Sequence, residues 1–128
     1  MILDTSFFID LLRNDSGAVS KARELELQNV PLATTSVAVF ELWRGFSALN
    51  QDKMERACAM LDQLKVYPLS SQNARIGGRI AHALDTIGQE IDPEDAMMAG
   101  IALENHEEML TRNVKHFGRI PNLVVHRY

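Results

Sequence analysis

Three carboxylates, Asp4, Glu41 and Asp95, fall where the sequence pattern expects a strand to end or a helix to begin. If those points meet at one edge of a sheet, the side chains converge. Converging carboxylates repel unless a cation lies among them or they retain protons. Carboxylate oxygens without a cluster of Cys and His ligands suit Mg²⁺ or Mn²⁺. An ion held in this way in a cleft is suited to phosphate-ester chemistry.

Two of these carboxylates also have structural interpretations. Asp4 could cap the helix that follows it, as could Thr5 or Ser6. Glu41 could pair with Arg44, three residues further along the same helix, or it could face solvent. A Glu41 side chain buried without a partner would be costly. A buried Glu41 therefore requires a cation, which either Arg44 or a metal ion would supply.

Asp95 has the strongest structural alternative of the three. The run Asp92-Pro93-Glu94-Asp95 is typical of a helix start, with Asp92 as the N-cap, Pro93 in the first helical position and acids in the first turn. Asp95 could then reach back to the cap, as in a capping box. Asp92 precedes Asp95 by one turn, so it either joins the site or only caps the helix.

A polar and basic segment follows the fourth predicted strand. Thr111 and Asn113 can hydrogen-bond a water or a phosphate, and Arg112 can contact a backbone phosphate. From residue 109 to residue 128 the chain carries four Lys or Arg residues and no acid. An ordinary solvated basic face is the alternative for most of them.

Short apolar segments alternate with helical ones along the chain, which predicts an α/β fold with helices on both faces of a short, mainly parallel sheet. We expect the helix over 37–49 to be buried because it is apolar almost all round. Ser70 or Ser71 should cap the helix over 70–87, and Gly88 should end it. Ligands of such sheets bind at the carboxyl ends of the strands. The predicted strands are 1–4, 31–35, 65–69, 108–111 and 123–126, and the predicted helices are 6–13, 19–28, 37–49, 52–64, 70–87 and 93–105.

Length and composition restrict the function classes. The chain has 128 residues, and we expect one domain over 1–128. Its formal net charge of −4 argues against a generic basic nucleic-acid binder. The single Cys58 cannot form an internal disulfide and suits a reducing compartment. With no basic leader and no apolar run long enough to span a bilayer, the sequence predicts a cytoplasmic protein.

Taken together, these segments resemble the PIN-domain ribonucleases, and in particular the VapC-type toxins of toxin–antitoxin pairs. Residues 2–6 resemble the first motif of the family, residues 40–45 the second, residues 93–102 the third and residues 111–117 the fourth. Residues 120–123 resemble the approach to its closing strand. Each motif is weak alone, but all four occur in order over nearly the whole chain.

This resemblance implies a three-layer α/β/α PIN-like domain that cleaves RNA with Mg²⁺ or Mn²⁺. The metal ligands, which are also the catalytic residues, would be Asp4, Glu41 and Asp95. The residues that position water or substrate would be Thr111, Arg112 and Asn113. The resemblance further implies a homodimer and a cognate VapB-like antitoxin that blocks the acidic cleft.

One departure from the family pattern concerns a fourth acid. Many PIN domains carry it at the position of Asn113 or about where His116 stands, and neither residue is acidic here. One metal ion, or a second ion recruited only with the substrate phosphate, therefore fits better than two tightly held ions. The departure also leaves open a catalytically impaired PIN-like module that binds RNA or a partner peptide without cleaving.

The histidines and the aromatic residues receive structural interpretations. The histidines show no ligand-like spacing, so we expect them to be structural or exposed: His82, His106, His116 and His126. Large rings in amphipathic helices usually lie in the core. The aromatic side chains that either join the core, as we expect for most of them, or line a partner groove are Phe7, Phe8, Phe40, Trp43 and Phe46.

Overall fold

A five-stranded sheet forms the centre of the protein. The computed structural model describes residues 1–46 and 50–128. The strands are β1 (Ile2–Leu3), β2 (Ala33–Thr35), β3 (Lys65–Tyr67), β4 (Met109–Leu110) and β5 (Val125–His126). Their order across the sheet is β3-β2-β1-β4-β5, and every neighbouring pair is parallel. The predicted parallel sheet is thus confirmed, with strands shorter than predicted.

Helices join and cover these strands. In the described ranges they are α1 (Thr5–Leu12), α2 (Ser16–Leu27), α3 (Ser36–Gly45), α4 (Gln51–Leu61), α5 (Ser71–Asp85), α6 (Pro93–Glu104) and α7 (Val114–Phe117). The sequence pattern missed α7 because four residues are too few to show helical periodicity. The predicted continuation of the third helix to Leu49 lies outside the described residues. No helix of the described ranges has the length and apolar character needed to cross a membrane.

The central strand β1 sends its two side chains to opposite faces of the sheet. Ile2 pairs with Ala33 and Met109, and these residues form one apolar cluster with side chains of α5, α6 and α7. Leu3 and Leu110 pair on the other face and pack with side chains of α1, α2 and α4. Helices therefore cover both faces, which confirms the three-layer α/β/α arrangement.

Helix α3 is less buried than its composition predicts. Phe7 and Phe8 lie in the core and Phe46 packs against it, as expected. By contrast, Phe40 is 56% exposed and Trp43 is 39% exposed. The prediction of an all-round buried helix is wrong because neighbouring elements cover only one side of α3. Its outer side leaves two aromatic rings in contact with solvent.

Helix α5 begins and ends as its sequence predicts. The Ser70 hydroxyl accepts a hydrogen bond from the Asn73 backbone N–H at 3.2 Å, and the Ser70 N–H donates to Asn73 Oδ1 at 2.7 Å. Of the two predicted caps, Ser70 is therefore the one that acts. Gly88 follows the helix with φ +68°, a backbone conformation that glycine adopts without strain.

Two glycines let the backbones of α5 and α6 touch. A Cβ on Gly100 would lie 2.3 Å from the Asn73 backbone oxygen and 2.8 Å from the Gly77 nitrogen. A Cβ on Gly77 would lie 2.6 Å from the Ala96 carbonyl oxygen. This close contact fixes α6, whose first turn carries Asp95, against its neighbour.

Replacing Gly100 by Ala should lower the free energy of unfolding by about 2–3 kcal/mol, because the added methyl group overlaps helix backbone that cannot move aside. Gly78→Ala is the matched control. It changes an exposed glycine of the same helix pair with no atom within 4 Å of the new Cβ. The control should raise the free energy of unfolding by about 0.5–1 kcal/mol. Urea unfolding measures both, and equal effects would contradict the backbone contact.

Candidate active site

The crevice at the carboxyl ends of β1 and β4 is the place where the chain reverses its direction across the sheet. From β1 the chain proceeds to β2 and β3 on one side, and then returns to β4 on the other. Ligands of open parallel sheets bind at such a switch point. Asp4 directly follows β1 and Thr111 directly follows β4, so both lie at this crevice.

Two hydroxyl groups hold the Asp4 carboxylate. The fully buried Thr111 Oγ1 donates a hydrogen bond to Asp4 Oδ2 at 2.6 Å, and Ser6 Oγ donates to the same oxygen at 2.6 Å. Asp4 occupies the N-cap position of α1, but its side chain makes no capping hydrogen bond. The capping interpretation of this side chain is therefore wrong. Thr111 therefore orients the Asp4 carboxylate, and its own hydroxyl is buried away from solvent.

The Glu41 side chain is held across the crevice by α1. Thr5 Oγ1 donates a hydrogen bond to Glu41 Oε2 at 2.6 Å. Arg44 does not pair with Glu41 as one alternative predicted, because its Nη1 lies 3.1 Å from Glu94 Oε1. The described residues thus give the half-buried Glu41 a hydroxyl partner and no cation.

The Asp95 carboxylate is anchored by the segment after β4. Asn113 Nδ2 and His116 Nδ1 each lie 2.9 Å from Asp95 Oδ2. The Asp92 side chain, at the N-cap position of α6, makes no capping hydrogen bond and is exposed. Pro93 takes the first position of the helix as predicted. Asp95 therefore faces the polar segment after β4, where its side chain meets two donors.

A common pattern unites these three carboxylates. In each, the side-chain donors named above all bind one oxygen, which is Oδ2 of Asp4, Oε2 of Glu41 and Oδ2 of Asp95. Within the described residues the second oxygen of each group receives no hydrogen bond, and none of these oxygens is both buried and unpartnered. Each carboxylate is therefore fixed in orientation and keeps one oxygen for a ligand.

The charges in the crevice act on one another. Burial raises the pKa of the Glu41 carboxyl, the Thr5 hydrogen bond opposes that rise, and the charges of Asp4, Asp95 and Glu94 add to it. Such shifts mark groups kept close together in a partly dry environment. An added cation would stabilise the ionised forms.

The pKa of the Asp95 carboxyl is also raised, by burial and by nearby carboxylates. Burial raises the pKa of its carboxyl, and the hydrogen bond from His116 lowers it. The negative charge of Asp4 raises it again, and that of Asp92 adds a smaller rise. The Asp4 carboxylate thus acts on both other members of the cluster.

A second grouping of possible ligands overlaps the first at Asp95. Among the described residues, one ligand atom from each of Asp92, Asp95 and His116 lies within 4.8 Å of the others. The ligand atoms of Asp4, Glu41 and Asp95 do not all lie within that distance of one another, so these three residues form a more widely spaced set. The tighter group includes an imidazole, whereas the wider one offers oxygens alone. Mg²⁺ prefers oxygen ligands.

Arg112 has protein partners of its own. Its Nη2 lies 2.7 Å from Asp10 Oδ2 and 3.7 Å from Asp15 Oδ2, and its guanidinium carbon lies 5.8 Å from the centre of the Tyr128 ring. Tyr128 also donates a hydrogen bond to the buried Asp10 at 2.7 Å. Arg112 therefore neutralises a buried carboxylate. Its contact with an RNA backbone stays a prediction.

Sequence reasoning names Thr111 and Asn113 as positioning residues, but it misses Thr5, Ser6 and His116 as partners of the carboxylates. From the sequence, Thr5 and Ser6 are possible helix caps and His116 is expected to be structural or exposed. The one available signal was the spacing of Asn113 and His116, which places both on one side of a helical turn. Nothing in the sequence alone indicates that this turn faces Asp95.

The chain is similar to known proteins over nearly its whole length. A family model described as the PIN domain matches residues 1–123. Ribonuclease VapC19 of Mycobacterium tuberculosis is 28% identical over 122 residues, which cover 95% of each chain. Ribonuclease VapC2 of Rickettsia felis is 26% identical, over 99% of this chain and 96% of that protein.

A solved structure shows the same fold. VapBC2 from Rickettsia felis, bound to a DNA fragment from its promoter, matches with a TM-score of 0.86. The match covers 99% of this chain and 97% of that chain at 22% sequence identity. At this identity the likeness extends to the fold alone.

The first prediction from the site is that Glu41→Gln stabilises the protein at neutral pH in EDTA. The variant removes a repelling charge and keeps an oxygen that accepts from Thr5. Because the folded protein raises the pKa of this carboxyl above its ordinary 4.5, the stability contributed by its protonated form is present at low pH. It is lost as the pH rises through the raised pKa. The gain should be about 0.5–1 kcal/mol at neutral pH and should disappear near pH 4.

Thermal melts across this pH range measure the effect. Glu26→Gln, which neutralises an exposed carboxylate of α2, is the control and should change the free energy of unfolding by less than about 0.5 kcal/mol. Added Mg²⁺ should stabilise the original chain more than the Glu41 variant. A Glu41 variant that is less stable at neutral pH would contradict charge repulsion in the crevice.

Proposed function

The chain belongs to the PIN domain family, and on that premise we propose that it is a metal-dependent endoribonuclease, a VapC-type toxin that hydrolyses RNA phosphodiester bonds. Its curated relatives of similar length are ribonucleases by name. The observation that carries the proposal is the crevice itself. The carboxylates of Asp4, Glu41 and Asp95 lie near enough to one another at the switch point of the sheet for their charges to interact, and each is held through one oxygen.

The donor set in the crevice fits a divalent cation. Asp4, Glu41 and Asp95 would hold it through carboxylate oxygens, the ligands that Mg²⁺ and Mn²⁺ prefer. The ion would also offset the burial and the carboxylate repulsion that raise the pKa of the Glu41 and Asp95 carboxyls. When bound, such an ion neutralises phosphate charge and lowers the pKa of a water molecule.

The surrounding residues orient these carboxylates. Thr111 and Ser6 hold Asp4 at the end of β1, and Asn113 and His116 hold Asp95 at the start of α6. With an amide in place of an acid, Asn113 orients a neighbour and adds no charge. This chemistry supports one resident ion, with any second ion arriving with the substrate phosphate.

Membership of the family also supports proposals about partners. We propose that a cognate VapB-like antitoxin covers the acidic crevice and blocks access of RNA, because a protein of the same fold is found in a VapBC complex. A homodimer is the arrangement that the family resemblance implies. We also propose that residues 1–128 form a single PIN-like nuclease domain, since the family model spans 123 of them from the first residue.

The nuclease prediction is tested by incubating purified protein with a pool of structured RNAs. Cleavage should require Mg²⁺ or Mn²⁺ and stop in EDTA. Asp95→Asn should lower the rate by more than about 100-fold, since replacing residues that only support metal ligands already costs about 10- to 100-fold. Asp85→Asn, at an exposed position of α5, should cleave normally.

Two outcomes would contradict this assignment. Metal-dependent cleavage that survives in a folded Asp95→Asn variant would return Asp95 to a structural role. Circular dichroism establishes that the variant is folded. Absence of cleavage by antitoxin-free protein on every RNA would instead favour the impaired module, with the missing fourth acid as its explanation.

Thr111 should act as a positioning residue through Asp4. Thr111→Val removes the hydroxyl that donates to Asp4 Oδ2 and accepts from the Asn113 backbone N–H at 2.8 Å. We expect Mg²⁺ affinity to fall by about 10- to 100-fold, measured by calorimetry, with a parallel loss of cleavage. Thr111→Ser keeps the hydroxyl and should retain both properties. Unchanged Mg²⁺ affinity in a folded Val variant would contradict the role.

A further inference from the structure

A small apolar pocket of about 250 Å³ lies between α3, the residues that precede α5 and the start of α6. Glu94 of this pocket pairs with Arg44 at 3.1 Å, which joins the start of α6 to α3, and the Glu94 charge also raises the pKa of the Glu41 carboxyl in the crevice. The pocket therefore adjoins the proposed place of cleavage. Its lining residues are Ser36, Val37, Phe40, Leu69, Glu94 and Met97.

An exposed phenylalanine forms one wall of this pocket. Phe40 is 56% exposed, although side chains of this type are usually buried. The guanidinium carbon of Arg44 lies 5.6 Å from the centre of its ring, and Arg44 also pairs with Glu94 at 3.1 Å. These contacts hold a flat aromatic surface and a cation side by side at the mouth of the pocket.

The Arg44 side chain keeps most of its surface available, since 60% of it is exposed. An aromatic ring beside a guanidinium complements a nucleotide, which offers a flat base and a negative phosphate. Such pairs of groups bind single-stranded nucleic acid without a large basic surface. In a chain of net charge −4, Arg44 offers the RNA backbone a local positive charge, which it shares with its partner Glu94.

We propose that this pocket is a nucleobase subsite, in which an unpaired base next to the cleaved bond stacks on Phe40 while Arg44 contacts the neighbouring phosphate. The assignment rests on the proposed ribonuclease function and deepens it. The base must be free of its own helix to reach the ring, so the subsite selects RNA that is unpaired at the cleavage site. Leu69 and Met97 supply the apolar surroundings of the base.

The test compares an RNA that the protein cleaves with copies that lack the base on the 5′ or the 3′ side of the cleaved bond. For the original chain, removal of the stacked base should lower kcat/KM by about 5- to 150-fold. Phe40→Ala should lower kcat/KM on the intact RNA by a similar factor. In that variant, removal of the same base should have no further effect.

Two variants serve as controls. Phe40→Trp keeps a stacking surface and should retain cleavage together with the sensitivity to base removal. Leu27→Ala removes another highly exposed apolar side chain, on α2, and should behave as the original chain does. Circular dichroism verifies that each variant is folded.

The subsite would be overturned if removal of the base and replacement of Phe40 acted independently of each other. If base removal on each side costs the same in the original chain and in Phe40→Ala, or if Phe40→Ala leaves kcat/KM unchanged, no base stacks on this ring. If the original chain cleaves no RNA with Mg²⁺ or Mn²⁺, the ribonuclease function and the subsite both fail. Cleavage by the original chain therefore separates failure of the subsite from failure of the function.

Discussion

Repulsion among the carboxylates of one crevice is the constraint on which the arrangement of this protein depends. Asp4, Glu41 and Asp95 come from three separate parts of the fold, and burial together with the charge of Asp4 raises the pKa of both other carboxyls. Nothing local to each element demands this convergence, because Asp4 makes no capping bond and Glu41 has no local ion pair. A grouping that costs stability without a cation is typical of a functional site.

The rest of the fold supplies rigidity against that repulsion. The parallel sheet places the ends of β1 and β4 side by side, so the fully buried Thr111 reaches Asp4. Backbone contact at Gly77 and Gly100 fixes α6 and therefore the position of Asp95. Each carboxylate is held through one oxygen by groups whose own positions are set by packing. Such preorganisation is what metal and phosphate chemistry requires.

The sequence predicts the elements and the carboxylates far better than the contacts between them. The alternation of short apolar segments with helical segments is sufficient to predict the parallel sheet, since buried parallel strands are short apolar runs in the sequence. The prediction of burial fails for Phe40, because composition does not reveal which side of α3 is left uncovered by neighbouring elements. Nor does composition reveal the partners of His116 and Arg112. Their partners, Asp95 and Asp10, lie 21 and 102 positions away in the sequence.

The central claim is that Asp4, Glu41 and Asp95 form one cation site. A crystal structure grown with Mn²⁺, with the ion located by its anomalous scattering, tests this claim most directly. We expect the ion to contact carboxylate oxygens of all three residues. An ion held by Asp92, Asp95 and His116 without Asp4 or Glu41 would contradict the claim, and so would the absence of an ion from the crevice at saturating Mn²⁺.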